Sequence, residues 1–360
     1  MALPKHTVGI IGCGRMGQHY VEIYQTLPDT EVVAIAEHNP ERRKAVGERF
    51  GVTGLYVDAE EMFQHVTPDL AAVVLPGKYI KEAVVAAAQA GVKGVSADKP
   101  IGARLSDVDE MVTVCEERNV VFAGGNLQRA MGEVQEAAAW LRAGEFGRPR
   151  GASVHGWGGE ISGGGCQHIA VLRLFTHAEI AEIVAWGSPL EALKQEDDHG
   201  LVINAQCRMS NDLSCSIYGT ESPQRGVDVW TEDSLLRWDW APPEIWQGFD
   251  ETGQRIKRER HYTPIEYPHF TYLGTSIRSF IDVVTNGGEL AISGNDLRQS
   301  LEVAIAAKYS ALWGSVPVSL PLQDRSLTLY PRPYRWLGGD QSGVPQSYEE
   351  ALSDPLFSKK

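Results

Sequence analysis

Thr7-Val8-Gly9-Ile10-Ile11-Gly12-Cys13-Gly14-Arg15-Met16-Gly17 passes from an apolar strand pattern through spaced glycines into a helical pattern. The last six residues form G-x-G-x-x-G, a weak signal alone and an informative one between a strand and a helix. Gly12 permits the tight turn, Gly14 lets the backbone approach a pyrophosphate, and Gly17 lets helix pack on strand. Arg15 and Met16 then lie in the first helical turn, where free N–H groups and the helix dipole favour an anion. Glu37 stands 20 residues after Gly17, at the end of the next strand pattern, placed to hydrogen-bond a ribose hydroxyl. Its charge repels a 2′-phosphate, so the spacing predicts NAD. His38, Arg42 and Arg43 close by keep NADP possible.

Outward from this stretch, residues 7–124 alternate strands and helices. Strands are expected at Thr7–Gly12, Glu31–Ala36, Leu70–Leu75, Val92–Ser96 and Val120–Gly124, and helices at Arg15–Thr26, Pro40–Phe50, Tyr79–Ala90 and Leu105–Arg118. Apolar strands alternating with helices imply a parallel sheet covered on both faces. After Gly125 the rhythm changes. Strand patterns at 150–157, 183–187, 201–209, 213–218, 226–230, 234–240 and 254–262 follow one another as in an antiparallel sheet. Helices are expected at Met131–Ala143, Phe270–Asn286 and Asn295–Trp313. The expected class is α/β, with a dinucleotide-binding domain over 1–125, a substrate-binding α+β domain over 126–330 and an extended tail over 331–360.

The composition narrows the partners. In 360 residues, 33 basic against 47 acidic side chains leave a net charge of −14, which disfavours nucleic acid because phosphate repels it. No apolar run is long enough to span a bilayer. The five cysteines are scattered with no C-x-x-C pair, pointing to a reducing, cytoplasmic setting rather than a disulfide scaffold. There is no metal-ligand constellation such as H-E-x-x-H.

Asp98-Lys99-Pro100 follows the strand pattern ending at Ser96, at the strand edge where ligands of open parallel sheets bind. A lysine there can donate to the oxygen of a reacting carbinol or carbonyl. Gly12–Gly17, Asp98-Lys99-Pro100, Asn126 with Arg129, Gly144–Pro149, Ile277–Asp282 and Ile292-Ser293-Gly294 occur in an order that resembles the glucose–fructose oxidoreductase/inositol dehydrogenase (Gfo/Idh/MocA) family. The resemblance covers roughly residues 5–320. It implies an N-terminal Rossmann domain, and a C-terminal domain whose open sheet makes homo-oligomer contacts, in a dimer or tetramer. It also implies hydride transfer between NAD(P) and a sugar, polyol or related carbinol. On that pattern Lys99 is the catalytic lysine, and Pro76, Asp98 and Asn126 join the cofactor contacts.

Two stretches depart from the family pattern. Family members carry an Asp and a His four residues apart in a glycine-rich segment. Here the segment is Gly163-Gly164-Gly165-Cys166-Gln167-His168, with no Asp at that spacing. His168 is then either the acid/base or stands at the Asp position, with Gln167 beside it as a substrate hydrogen-bonder and Cys166 as packing. Leu75 and Ile80 replace the family's polar Thr and His around Pro76. On the substrate side, Trp157 is expected to stack on a sugar ring or to fill the core, with Glu160 on hydroxyls. Arg129 touches cofactor or an anionic substrate group, or forms an ion pair. Trp238, Trp240 and Trp246 are expected to cover the sheet or an oligomer interface.

The leading expectation is an NAD-dependent oxidation of a sugar or cyclic polyol, Lys99 polarising the reacting oxygen and His168 relaying the proton. A redox-neutral glycosidase, lyase or epimerase with retained NAD is the alternative, and a non-catalytic nucleotide-binding regulator a further one.

Overall fold

A computed structural model describes residues 5–125, 127–158, 160–220, 223–264 and 271–336. It divides into two compact units. The first takes residues up to 125, then 276–298 and the stretch from 333 onward; the second takes 126–275 and 299–332.

The first unit is built on β1 (His6–Ile11), α1 (Arg15–Thr26), β2 (Thr30–Ala36), α2 (Pro40–Phe50), β3 (Gly54–Tyr56), α3 (Ala59–His65), β4 (Leu70–Val73), α4 (Gly77–Ala90), β5 (Gly94–Ala97), α5 (Leu105–Glu117) and β6 (Val121–Gly124). The strands form one parallel sheet in the order β3-β2-β1-β4-β5-β6. Each parallel connection runs through a helix or a longer crossover, and such connections are as a rule right-handed, which puts helices on both faces. Accordingly β4 and β5 are buried at every residue. The order reverses between β1 and β4, the switch point at whose carboxyl ends sheets of this kind bind their ligands. Asn39 caps α2, its side-chain oxygen accepting from the N–H groups of Glu41 and Arg42, with Pro40 in the first turn.

The second unit opens with a 3-10 turn (Gln128–Ala130) and α6 (Gly132–Arg142), then β7 (Gly151–His155), α7 (Cys166–Thr176), β8 (Ile180–Ser188), α8 (Leu190–Lys194), β9 (Val202–Met209), β10 (Ser214–Tyr218), β11 (Gly226–Trp230), β12 (Ser234–Trp238), β13 (Glu244–Phe249) and β14 (Arg255–Arg258). After α9 (Thr271–Asn286) and α10 (Gly294–Leu312) comes β15 (Val318–Ser319). The sheet order is β14-β13-β12-β11-β7-β10-β9-β8-β15. β10 runs parallel to β7, and the remaining neighbours are antiparallel. One face is covered by α7, buried along its whole length, and by the later turns of α10, where Ser310 Oγ accepts from the Ala185 N–H. The other face is open: Trp186, Gln206, Arg208, Tyr218 and Trp230 are exposed on it.

The mainly antiparallel second sheet follows the expectation. The units divide between 125 and 126, but the second is not continuous to 330: residues 276–298 fold with the Rossmann sheet, and the second unit resumes at 299 and ends at 332. Gly124 N–H donates to Ile292 O at 3.0 Å, Ser276 Oγ to Gly125 O at 3.0 Å, and Arg278 makes a fork to both Asp29 oxygens at 2.9 and 2.8 Å. These partners lie more than 150 residues apart in the chain, beyond any local pattern. The described start of the tail is also not extended: Pro333–Trp336 forms α11, with the Trp336 ring against Gly77 at the start of α4. Residues 337–360 lie outside the described residues.

Candidate active site

In the first unit the β1–α1 turn is a cradle that only glycine fits. A Cβ on Gly12, at φ +90°, would stand 2.4 Å from Val74 O, and one on Gly17 would stand 1.9 Å from Gly12 O. Gly14 precedes α1 with no side-chain cap, so the N–H groups of its first turn are left for an anion. Arg15 is exposed and Met16 half-buried at this end. Glu37 is buried. Its carboxylate accepts from the Cys13 N–H at 2.9 Å and the Asn39 N–H at 3.0 Å, with Arg42 Nη1 at 3.5 Å and the exposed His38 Nδ1 at 3.0 Å. The acidic group at the ribose position therefore also ties the glycine turn to the end of β2. These features fit a dinucleotide: a turn without side chains, free N–H groups at a helix start, and a carboxylate 20 residues on.

The next loops at the same sheet edge are Val74–Pro76 after β4 and Asp98–Pro100 after β5. Val74 N–H donates to Ile11 O, and Asp98 N–H to Val73 O. Asp98 is buried, and its Oδ1 accepts the Lys99 N–H at 2.8 Å, fixing the backbone that carries Lys99. Lys99 is half-buried. β5 is two strands from β1, so its loop lies about 10 Å across the sheet from the cradle. Pro76 is half-buried at this edge. Asn126 lies outside the described residues.

In the second unit the glycine-rich segment is pinned from several sides. Gly165 N–H donates to Glu160 O at 2.8 Å, and Trp157 Nε1–H to Gly165 O at 3.0 Å. Ser162 gives its N–H and its hydroxyl to Asp198 Oδ2 at 2.8 and 2.7 Å. Asp198 is fully buried and its Oδ1 lacks a partner among the described residues. Burial, with the charges of Glu160 and Asp197, pushes its carboxyl up to about 7, against the Ser162 bonds. Half-buried Glu160 sits at the segment's start.

His168 projects from the first turn of α7. It is 4% exposed, and neither ring nitrogen makes a well-aligned hydrogen bond among the described residues, although the backbone of Gly165 and of His155 lies near the ring. Its ring meets Trp238 edge-on at 5.8 Å between centroids and Trp240 at 5.5 Å. Burial, with the nearby charges of His155 and Arg225, pushes its pKa down to about 4. The imidazole is thus neutral at pH 7, with one nitrogen a donor and the other an acceptor.

Three expected ligand contacts are turned elsewhere. Trp157 is fully buried with its N–H on Gly165, so it offers no ring face to a sugar. Gln167 is 3% exposed, and its Oε1 accepts the Gln128 N–H at 2.7 Å. Arg129 Nη1 donates to Ala170 O at 3.0 Å, joining the 3-10 turn to α7. All three stabilise the segment that carries His168. Conversely, Trp240 and Asp198 lie at or beneath the segment. The Trp238-Asp239-Trp240 aromatics signalled one of them; nothing local signalled Asp198. Among the described residues no grouping of three metal-ligating side chains occurs, and no helix is long and apolar enough to cross a membrane.

Residues 6–125 match the family model of the oxidoreductase family with an NAD-binding Rossmann fold (GFO_IDH_MocA). The chain is 25% identical over 324 residues to the myo-inositol 2-dehydrogenase of Thermotoga maritima, covering 84% of this chain and 95% of that protein. It is 30% identical over 140 residues to the D-apiose dehydrogenase of Paraburkholderia graminis, across 39% of this chain and 37% of that protein. Among solved structures it resembles the WlbA dehydrogenase of Bordetella pertussis, crystallised with NADH and UDP-GlcNAcA. The TM-score is 0.71 and the identity 21%, over 89% of this chain and all of that one. At that identity the likeness shows the fold.

Proposed function

We propose that the chain is an oxidoreductase of the Gfo/Idh/MocA kind that transfers hydride between a sugar or cyclic polyol carbinol and nicotinamide, with Lys99 polarising the reacting oxygen; the match of residues 6–125 to the NAD-binding family model and the likeness to myo-inositol 2-dehydrogenase support this. The observation that carries this reading is the placement of Lys99. It stands on a loop held by Asp98, at the same sheet edge as the glycine cradle and two strands away. Bound NAD supplies the hydride acceptor. Lys99 Nζ donates a hydrogen bond to the reacting oxygen and so polarises it while hydride leaves the carbinol carbon for the nicotinamide. His168, neutral and set among aromatic rings, takes the proton of the reacting hydroxyl and relays it onward. The relatives named dehydrogenases of myo-inositol and D-apiose support the substrate class.

The test is to mix the protein with NAD and a panel of sugars, glycosides and inositols, following NADH by near-ultraviolet absorbance and substrate by NMR. Steady NADH formation supports the proposal. Substrate loss without NADH would replace it with redox-neutral chemistry on retained cofactor. Lys99→Ala should lower kcat by at least about a hundredfold while leaving the NAD Kd within about twofold. Retained turnover refutes the role of Lys99.

We also infer a homo-oligomer, dimer or tetramer, formed by the open sheet face. Trp186, Tyr218 and Trp230 stand exposed on it, a concentration of apolar surface that a second copy would bury. Light scattering on the purified chain decides this, and a monomer excludes it. Five buried free thiols fit a reducing, cytoplasmic setting.

A further inference from the structure

His168 is one of two buried polar groups in the same place that make no well-aligned hydrogen bond among the described residues. The Trp238 indole is 0% exposed, and its Nε1–H finds no acceptor among the described residues. A buried donor and a buried ring that both go poorly satisfied lose the water they would bond in the unfolded chain and get little back. Such groups are rare in folded proteins and call for an explanation, a bound partner being one. Over them lies Trp240, half-buried, its centroid 5.2 Å from Trp238 and 5.5 Å from His168. Trp240 has φ +57°, a left-handed backbone that a bulky side chain rarely adopts. Strain of this kind is held by the surroundings and collects at ligand sites. Here the holding contact is visible. A Cβ on Gly226, at φ +96°, would stand 1.9 Å from Trp238 O and 3.0 Å from Asp239 Cα, so β11 begins pressed against this turn. Asp239 and Arg225 form an ion pair at 3.0 Å on the exposed rim.

We propose that Trp238, Asp239, Trp240, Arg225 and His168 form a binding site for one face of a hydroxylated ring, a pyranose or cyclohexane polyol, with Trp240 as its movable wall. The site deepens the sugar or polyol reading above and rests on it. A hydroxyl is both donor and acceptor. One ring hydroxyl therefore satisfies both orphans at once, accepting from Trp238 Nε1–H and donating to an imidazole nitrogen of His168. The C–H face of the ring lies on the Trp240 indole. Asp239 accepts from further hydroxyls, and Arg225 donates to them. The nitrogens of His168 are covered in the present arrangement. Entry therefore requires the Trp240 side chain to swing aside, and it is the half-exposed member of the cluster.

The test reads the accessibility of His168 directly. Diethyl pyrocarbonate modifies accessible neutral imidazole, and peptide mass spectrometry gives the rate at His168 relative to exposed His199. Trp240→Ala should raise that ratio at least about tenfold, and Trp240→Phe should give an intermediate value, the fold-change being set by loss of cover. Aldohexoses, inositols or methyl glycosides should suppress the gain for at least one member of the panel. An unchanged ratio in both variants overturns the wall. A raised ratio that no polyol suppresses overturns the site. If polyols protect His168 yet none turns over with NAD, the site stands and the dehydrogenase reading falls. If they turn over without protecting, the reverse holds.

Discussion

Replacing Asp198 by Asn should make the stability of the second unit less dependent on pH, in a calculable direction. The Asp198 carboxyl is fully buried, accepts two bonds from Ser162, and is pushed up to about 7 by burial and the charges of Glu160 and Asp197. Lys308 is close enough to feel Asp197 and Asp198, although its amine is turned to the carbonyls of Gln195 and Glu196. In the unfolded chain an Asp titrates near 3.9. Between that value and about 7 the folded state holds a proton that the unfolded state has released, so stability falls as pH rises through this window. About three units at 1.36 kcal/mol each give a loss on the order of 4 kcal/mol, complete above pH 7. Asn keeps an oxygen for Ser162 and carries no charge at any pH. The melting temperatures of wild type and Asp198→Asn should therefore diverge with pH, the variant gaining on the order of 10 °C relative to wild type between pH 4.5 and 7.5. Calorimetry at four pH values in that interval measures it. A constant difference across the series would mean that Asp198 ionises normally in the folded protein, and the burial argument would fail.

Glu37→Ser should raise the NAD Kd at least about tenfold and narrow the preference over NADP. It also removes the acceptor from the Cys13 N–H, a cost of about 1–3 kcal/mol; calorimetric binding of both dinucleotides and a melting curve check the two effects, and unchanged discrimination would place the ribose contact elsewhere. Gly17→Ala puts a methyl 1.9 Å from Gly12 O, so α1 has to shift away from the cradle. NAD binding should be lost, with destabilisation of about 1–3 kcal/mol; normal affinity in this variant would contradict the cradle geometry.

Local chemistry made much of the first unit legible. The glycine spacing and the helical periodicity after it gave α1 at Arg15–Thr26, and Pro40 with the pattern after it gave α2 at Pro40–Phe50, both as observed. β3 escaped notice because three half-buried residues carry too little pattern. β13 did so because Pro242-Pro243 before it reads as a loop. At the site, residue type was readable and orientation was not. Trp157 and Gln167 have chemistry suited to a ligand, yet their neighbours turn them inward onto Gly165 and Gln128. Trp240 was read as cover for a sheet or interface, since nothing in W-D-W announces a left-handed backbone. That conformation follows from the close approach at Gly226, which is tertiary.

The return of residues 276–298 to the first unit has a consequence for how the protein is made. The match to the NAD-binding family model ends at residue 125, but the unit that binds the dinucleotide lacks Ser276, Arg278, Phe280 and Ile292 until much more chain exists. A Cβ on Gly94 would meet the Phe280 ring at 2.5 Å, and one on Gly124 would meet Ile292 at 2.6 Å, so these side chains fill the flank of β5 and β6. On the ribosome the interval between residues 125 and 298 is about ten to thirty seconds at ordinary elongation rates. Throughout that time the Rossmann sheet waits with one edge uncovered while the second unit is synthesised as an insertion within it. An excised fragment ending at 125 would leave that edge permanently bare, and a nascent chain passes through the same state every time it is translated.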